Sequence, residues 1–315
     1  MKLIPLYKNY PWGGCRIPET YGRDVPSGIY AESWEIADHD DGMSVVANGP
    51  QAGHTLREVL QVNPVGIMGT HVKGTSFPLL IKLIDAKERL SVQVHPTDAT
   101  AMKYGGEAKT EMWYLLGDNK TQIYCGLNEG ITKSSFLQAV ESGTSGETLQ
   151  TVQVENGNVV FVRGGRVHAI DSGCLILEIQ QNSNTTYRIH DWGRMGNDGK
   201  PRELHVEKAI NVINWDDHET PLIEPTLKLD SESLQLWELL RCEYFCLEKI
   251  VLSGANETPL TGETFHALFV AEGEAVLEWE GTNEALKAGE SILIPAALPA
   301  YTLNGRCTIL RTTLP

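Results

Sequence analysis

Short runs of alternating apolar and polar residues, separated by turn-forming residues, constrain this 315-residue sequence more than any other feature. Side chains alternate between the two faces of a strand, so such a run forms a half-buried strand, and the glycine and asparagine residues between runs form turns. The runs recur in GMSVVANGPQAG, EMWYLLGDNKTQIYCGLNEG, TVQVENGNVVFVRGG and CLILEIQQ. This pattern predicts an all-β protein.

Helical periodicity is limited to three segments. TLREVL starts at Thr55, a residue type that commonly caps helices, and TKSSFLQAVESG ends at Gly143. The second of these predicts a small helical insertion near 131–143. The third segment, RELHVEKAINVINW, is expected to connect two β regions.

A change in composition after Trp215 indicates a domain boundary. The segment DDHETPLIEPTLKLDSES is polar, acidic and contains two prolines, which favours a linker near 216–232. We therefore divide the chain into residues 1–225 and residues 226–315, and a length of 315 residues agrees with two domains.

Charge and cysteine content exclude several classes of protein. The net charge of −15 argues against nucleic acid and anionic membranes as partners, although a local group of lysines and arginines can still bind a phosphorylated small molecule. The N-terminal residues lack the apolar run of a signal peptide, and no segment reads as a membrane span. The six cysteines form no CxxC pair, which is typical of reduced thiols in a cytoplasmic protein.

The stretch LSVQVHP at residues 90–96 carries an unusual pair of side chains. In a strand, Val92 and Val94 point to one face and Gln93 and His95 to the other. The valine face is expected to pack in the core. An amide beside an imidazole on the opposite face is atypical of a solvated surface and indicates a site.

The two β regions share a weak internal repeat. GNVVFVRGGRVHAI in the first region aligns with GESILIPAALPAYTL in the second, so that His168 corresponds to Ala300. Upstream, EMWYLLGD and HALFVAEGEA look like corresponding strands. If one copy carries a site, it is the first.

The spacing Gly-x5-Pro-x-Gly-x2-His resembles the second motif of the cupin superfamily, a small jelly-roll fold, although Arg163 replaces the proline. This departure, with Gly164, is expected to alter the turn before His168 without removing it as a ligand. The resemblance implies a metal site. One carboxylate, two imidazoles and an amide suit a borderline divalent cation, with zinc first. The implied ligands are Gln93, His95, Glu111 and His168.

A narrower resemblance is to type I mannose-6-phosphate isomerases, carried in order over roughly residues 5–215. Its motifs are YPWGG, FPLLIKLIDAKERLSVQVHP, KTEMWYLL, VHAI and EIQQNSNTTYRIHDWGR. It implies two cupin-type jelly-roll barrels, a catalytic one in residues 1–225 and a degenerate one without metal ligands in residues 226–315. The implied enzyme holds one Zn²⁺ per chain and interconverts mannose 6-phosphate and fructose 6-phosphate through a cis-enediol(ate). The implied partner is therefore a small sugar phosphate, and a monomer or weak homodimer is expected.

The resemblance also implies roles for residues outside the metal site. It places Arg188, Lys109 and Glu178 among the catalytic residues, and Ser91, Lys82 and Arg194 near the substrate and its phosphate. Lys82 lies in the otherwise apolar strand FPLLIKLI, where an unpaired ammonium is costly, so it is expected to face the site. Glu178 and Lys109 are both candidates for the general base, and the sequence does not choose between them.

Two other functions compete with the isomerase. A cupin dioxygenase normally uses iron and more histidines, and Gln93 argues against it. A non-catalytic sugar-binding cupin with a vestigial site is disfavoured because none of the expected site residues has been lost, namely Lys109, Glu111, His168, Glu178 and Arg188.

Overall fold

The computed structural model describes residues 1–117, 120–196 and 198–315. Strands account for 44% of the chain and helices for 14%, so the prediction of a mostly β protein is confirmed. No helix of the described residues is long and apolar enough to cross a membrane. All six cysteine side chains are free thiols, in agreement with the expectation from the sequence.

The strands of the described residues are short in the first two-thirds of the chain and several are longer near its C-terminus, while the helices are all short. The helices are α1 (Arg16–Tyr21), α2 (Leu56–Val62), α3 (Pro64–Met68), α4 (Asp98–Tyr104), α5 (Lys133–Glu141) and α6 (Val206–Val212). The strands up to residue 127 are β1 (Leu3–Ile4), β2 (Leu6–Lys8), β3 (Glu32–Ile36), β4 (Asp38–His39), β5 (Gly42–Met43), β6 (Val45–Val46), β7 (Leu79–Asp85), β8 (Val92–Val94), β9 (Glu111–Leu116) and β10 (Thr121–Leu127). Those that follow are β11 (Leu149–Val154), β12 (Val159–Val162), β13 (His168–Ile170), β14 (Leu175–Gln181), β15 (Tyr187–His190), β16 (Leu222–Ile223), β17 (Thr226–Asp230), β18 (Leu234–Arg241), β19 (Cys246–Pro259), β20 (His266–Trp279), β21 (Thr282–Lys287), β22 (Ser291–Ile294) and β23 (Ala300–Thr313).

Each of the three segments with helical periodicity contains a helix, namely α2, α5 and α6. Thr55 caps the N-terminus of α2 as predicted: its hydroxyl accepts a hydrogen bond from the Glu58 amide, and the Glu58 carboxylate accepts one from the Thr55 amide. The sequence did not predict α1, α3 and α4; the first two are only six and five residues long, and α4 buries none of its residues and so has no apolar stripe.

The chain forms two compact units that are discontinuous in sequence. One unit combines residues 1–6, 35–80 and 224–315, and the other combines residues 7–34 and 81–223. In the first, the Met1 carbonyl accepts a hydrogen bond from the Leu293 amide, so main-chain hydrogen bonds join distant segments. The division into residues 1–225 and 226–315 is continuous, and it stays a prediction.

Two sheets enclose the interior of the second unit. The five-stranded sheet has the order β11-β10-β13-β8-β15, and the seven-stranded sheet has the order β16-β12-β9-β14-β7-β3-β2. One apolar cluster joins Cys125 and Ile170 of the first sheet to Trp113 and Ile176 of the second, so their inner faces pack together. The pairings between described residues leave both sheets open, so the predicted closed barrels are not confirmed.

The C-terminal sheet has the order β17-β18-β19-β23-β20-β21, with β22 pairing with β20. Alternate residues of its long strands, among them Ile250, Leu268 and Ile309, fill an apolar core. This arrangement matches the second β region expected from the sequence.

Candidate metal centre and active site

Three predicted site residues lie side by side on the five-stranded sheet. Gln93 of β8 pairs in register with His168 of β13 on one side and with Arg188 of β15 on the other. Residues paired in register across a sheet point to the same face. The sheet therefore places an imidazole, an amide and a guanidinium in one row, and His95 follows two residues after Gln93.

The facing sheet contributes the carboxylate of the predicted metal site. Glu111 is the first residue of β9, and its two oxygens lie 3.6 Å from His95 Nε2 and 3.4 Å from His168 Nε2. The ligand atoms of these three buried residues lie within 4.8 Å of one another. We call these three residues the His–Glu–His cluster.

Main-chain carbonyls fix the orientation of both imidazoles. His95 Nδ1 lies 2.8 Å from the Thr185 carbonyl oxygen, and His168 Nδ1 lies 2.9 Å from that of Arg166. A carbonyl only accepts hydrogen bonds, so each Nδ1 carries the proton and each Nε2 presents a lone pair to Glu111.

The protonation states of the cluster also suit a cation. Burial, together with Lys109, lowers the pKa of His95 to about 4, and burial lowers the pKa of His168. Burial alone raises the pKa of Glu111, but Lys109 and His95 outweigh it and hold that pKa well below its ordinary value. Two neutral imidazoles and one carboxylate therefore face each other, which is a donor set that fits a divalent metal ion.

The fourth predicted ligand, Gln93, lies beside this cluster. Its Nε2 is 3.2 Å from His168 Nε2, and its Oε1 accepts a hydrogen bond of 3.2 Å from the Ser91 hydroxyl. The alternation of side chains in LSVQVHP therefore identified a strand face that contributes to the site.

Two buried lysines connect the cluster to further carboxylates. Lys109 Nζ lies 2.7 Å from Glu111 Oε2, 3.3 Å from His95 Nε2 and 3.5 Å from Glu178 Oε1. Lys82 Nζ lies 3.1 Å from Glu178 Oε1 and 3.4 Å from Glu32 Oε2. Burial alone lowers the pKa of Lys82, but Glu178 and Glu32 outweigh it and raise that pKa, so Lys82 is an ammonium.

A cavity of about 250 Å³ opens next to these groups. Six predicted site residues line it: Lys82, Ser91, Gln93, Lys109, Glu178 and Arg188. The residues that sequence reasoning missed include Tyr10, Glu32, Asn184, Thr186, Arg202 and His205.

Of these missed residues, Glu32 left no clear signal in the sequence, because its strand ESWEI also contains a serine and a second glutamate and no apolar run singles it out, unlike Lys82. Arg202 and His205 lie in RELHVEKAINVINW, a segment whose periodicity indicates only a helix.

Arg194, a predicted phosphate-binding residue, does not line this cavity. Its guanidinium donates a hydrogen bond to the carbonyl of Arg89 and lies 3.4 Å from Asp191 Oδ1 and 3.5 Å from Glu88 Oε2. It borders a separate surface cavity together with Glu88 and Trp192. The structure thus holds Arg194 against the main chain that leads into β8.

Family models match both ends of the chain. The model of the type I phosphomannose isomerase catalytic domain matches residues 1–136, and that of the mannose-6-phosphate isomerase cupin domain matches residues 237–314.

Individual relatives match over nearly the whole length. Mannose-6-phosphate isomerase ManA of Bacillus subtilis is 37% identical over 96% of this chain and 94% of its own, and the putative mannose-6-phosphate isomerase YvyI of the same organism is 34% identical over 98% and 96%. A crystal structure of the mannose 6-phosphate isomerase from Bacillus subtilis superimposes with a TM-score of 0.91 at 33% identity, covering 99% of this chain and 98% of that one. The chain therefore belongs to the type I mannose-6-phosphate isomerase family.

Proposed function

We propose that this protein is a zinc-dependent aldose–ketose isomerase that interconverts D-mannose 6-phosphate and D-fructose 6-phosphate. The observation that carries the proposal is the convergence of the His–Glu–His cluster with Lys109, Glu178 and Arg188 beside one cavity. The names of the relatives supply the substrate. A location in the cytoplasm and a monomeric or weakly dimeric state stay predictions from the sequence.

The donor set described above fits one Zn²⁺ per chain. His95, Glu111 and His168 would hold the ion, with Gln93 beside them as the fourth group. When bound, zinc supplies a Lewis acid for the oxygens of the reacting carbons. The cluster contributes a single negative charge, so the bound ion keeps most of its own charge.

The reaction moves one hydrogen from C2 to C1 of the open-chain sugar and one from O2 to O1, through a cis-enediol(ate). A base must first take the C2 proton, and a fixed positive charge must stabilise the oxygen on which negative charge develops. Arg188 suits the second role because its register partner is Gln93, next to the cluster.

Lys109 and Glu178, the two candidate bases, both line the cavity and lie 3.5 Å apart. Glu178 is the better acceptor, since a carboxylate offers only lone pairs whereas an ammonium offers only donors, and Glu178 Oε1 lies 3.1 Å from Lys82 Nζ and 3.5 Å from Lys109 Nζ. In this proposal Glu178 moves the proton between C2 and C1, and Lys109 donates hydrogen bonds to the sugar oxygens.

Phosphate binding is proposed to orient the sugar from a distance. Ser91 and Lys82 line the cavity and remain candidates for this role. Arg194 stays a prediction of the resemblance, although its contacts lie outside this cavity.

A coupled assay of mannose 6-phosphate conversion tests the proposal. We expect turnover by the zinc-loaded protein, its loss after treatment with a chelator, and its return when Zn²⁺ is added back. The absence of turnover in a sample shown to contain one zinc per chain would contradict the proposal. Activity that required Fe(II) and O₂ would instead favour the dioxygenase.

A further inference from the structure

Arg202 lines the cavity of about 250 Å³ beside the His–Glu–His cluster, and its side chain is held in a fixed orientation. Its Nε and Nη2 atoms donate two hydrogen bonds, of 2.7 Å and 2.5 Å, to the carboxylate oxygens of Asp191. The Asp191 side chain is 6% exposed and that of Arg202 18%, so the pair is largely withdrawn from water. In the described part of the chain, Nη1 of Arg202 has no hydrogen-bond partner. The guanidinium is thus held by one edge and offers its remaining donors to the cavity.

Most other cations of the cavity are already balanced by carboxylates. Lys82 lies between Glu32 and Glu178, and Lys109 contacts Glu111 and Glu178. A second anion at either lysine would therefore compete with carboxylates that are already in contact.

In the wall formed by Arg188 and Arg202, Asp191 pairs with Arg202, but no carboxylate of the described residues forms an ion pair with Arg188. Arg188 Nη1 donates to the neutral carbonyl of Glu203, and its buried Nε has no hydrogen-bond partner among the described residues. Asp191 is the carboxylate of this wall, and Arg202 shares it with Arg194. Burial, followed by the nearby Arg202 charge, lowers the pKa of Arg188, and these two effects outweigh the opposing charges of Asp191 and Glu203.

The two arginines differ in their position relative to the row that His168, Gln93 and Arg188 form on the five-stranded sheet. Arg188 lies on β15 and pairs directly with Gln93, whereas Arg202 lies beyond the end of β15, in the segment that leads to α6. A hexose 6-phosphate has its reacting carbons, C1 and C2, at one end and its phosphate at the other. Arg188 is placed for the reacting end, and Arg202 lies outside the row that holds that end.

We propose that Arg202, oriented by Asp191, binds the phosphate of the substrate, and that Arg194 positions Asp191 and the start of β8 from outside the cavity. This inference rests on the proposed function, because it takes a sugar phosphate as the substrate. It makes Arg202 a specificity-determining residue: a doubly charged phosphate restores the charge balance of the wall, whereas a sugar hydroxyl does not.

Binding of sorbitol 6-phosphate, which lacks a carbonyl group and is not isomerised, tests the inference by isothermal titration of the zinc-loaded protein. Arg202→Gln is expected to weaken this binding about 10- to 100-fold and to raise KM for mannose 6-phosphate similarly, with kcat changed less than about threefold. Arg194→Gln is expected to cause a smaller loss. Arg306→Gln, on an exposed arginine of the C-terminal sheet, is the matched control and is expected to bind as the wild type does.

The inference is overturned if Arg202→Gln binds sorbitol 6-phosphate like the wild type, or if Arg194→Gln weakens binding as much as Arg202→Gln. Should Arg202→Gln fail to fold, Arg202→Lys keeps the charge at Asp191 but lacks the planar fork, and it is expected to lose about tenfold. Wild-type turnover separates the two proposals. A wild type that turns over mannose 6-phosphate while Arg202 variants bind normally refutes only this inference, and a wild type without turnover refutes the isomerase.

Discussion

The two β regions place different chemistry at corresponding points of their strands. Glu111 begins β9 and pairs with Val162 of β12, while His266 begins β20 and pairs with Ile294 of β22. Glu111 Oε1 lies 3.4 Å from His168 Nε2, and His266 Nδ1 lies 2.9 Å from the Tyr301 hydroxyl. The internal repeat seen in the sequence therefore corresponds to an equivalent strand pair in each region.

Largely buried polar side chains of the C-terminal region pair with one another. Arg311 donates to Glu248 with Nε at 2.7 Å and places Nη2 at 2.6 Å from the same carboxylate, and Tyr301 is paired with His266. A network in which each buried polar group has a partner stabilises a fold and leaves little for a ligand to do.

In the first region, by contrast, some buried polar atoms of the described residues have no hydrogen-bond partner. Glu111 Oε2 and Glu178 Oε1 are buried and, among the described residues, have ion-pair contacts but no hydrogen bond of good geometry. Both imidazoles direct lone pairs at the Glu111 carboxylate. The contrast teaches that incomplete pairing, rather than the mere presence of buried charge, distinguishes a site from a structural network.

The largest expected effect follows from removing one histidine from each region. His168→Ala deletes a donor of the His–Glu–His cluster, so we expect the zinc content to fall from one per chain to below about 0.1 and turnover to fall more than about 1,000-fold. His266→Ala is the matched substitution in the C-terminal region, and its zinc content is expected to stay at one per chain. Metal analysis by mass spectrometry and the coupled assay measure both. If His266→Ala lost metal as His168→Ala does, the contrast between the regions would fail.

Much of the first region was predictable from local pattern. Alternation in LSVQVHP placed Gln93 and His95 on one face, and the cost of a buried ammonium placed Lys82 towards the site. Both predictions depend on a single strand, and strand periodicity is a local property of the sequence.

Pairing between distant segments was not predictable. Asp191 binds both Arg194 and Arg202, and which of the two arginines enters the cavity depends on the path of the chain between them. The contact of Glu32 with Lys82 joins residues 50 positions apart. The two barrels implied by the resemblance are not confirmed, and closure likewise depends on which edge strands meet rather than on the pattern within any strand.

A smaller effect is expected from breaking the ion pair of the C-terminal region. Arg311→Met leaves the carboxylate of Glu248 without its guanidinium, and we expect a loss of roughly 1–3 kcal/mol in the free energy of unfolding. The double variant Arg311→Met/Glu248→Leu removes both charges and is expected to recover most of that loss. Urea denaturation measures the stability, and zinc content is expected to stay at one per chain in both variants. A double variant as unstable as the single one would show that the pair does more than satisfy its own charges.

The smallest effect concerns the acid sensitivity of the C-terminal region. Burial, followed by the charge of Arg311, lowers the pKa of His266 to about 3 from its ordinary value near 6.5. The unfolded chain therefore binds a proton at this imidazole more readily than the folded protein does. The contribution of the neutral imidazole to stability is complete above pH 6.5 and is lost progressively as the pH falls towards 3.

Replacing this imidazole should flatten the pH dependence of stability. Between pH 6.5 and 4.5 we expect the free energy of unfolding of His266→Gln to fall less than that of the wild type, by roughly 1–2 kcal/mol, because partial exposure screens part of the shift. Urea denaturation at pH 6.5, 5.5 and 4.5 measures the difference, and His54→Gln, at an exposed position of the same unit, is the matched control. Parallel pH curves for the wild type and His266→Gln would mean that Tyr301 and Arg311 accommodate a charged imidazole, and the C-terminal network would then be as adaptable as the site it resembles.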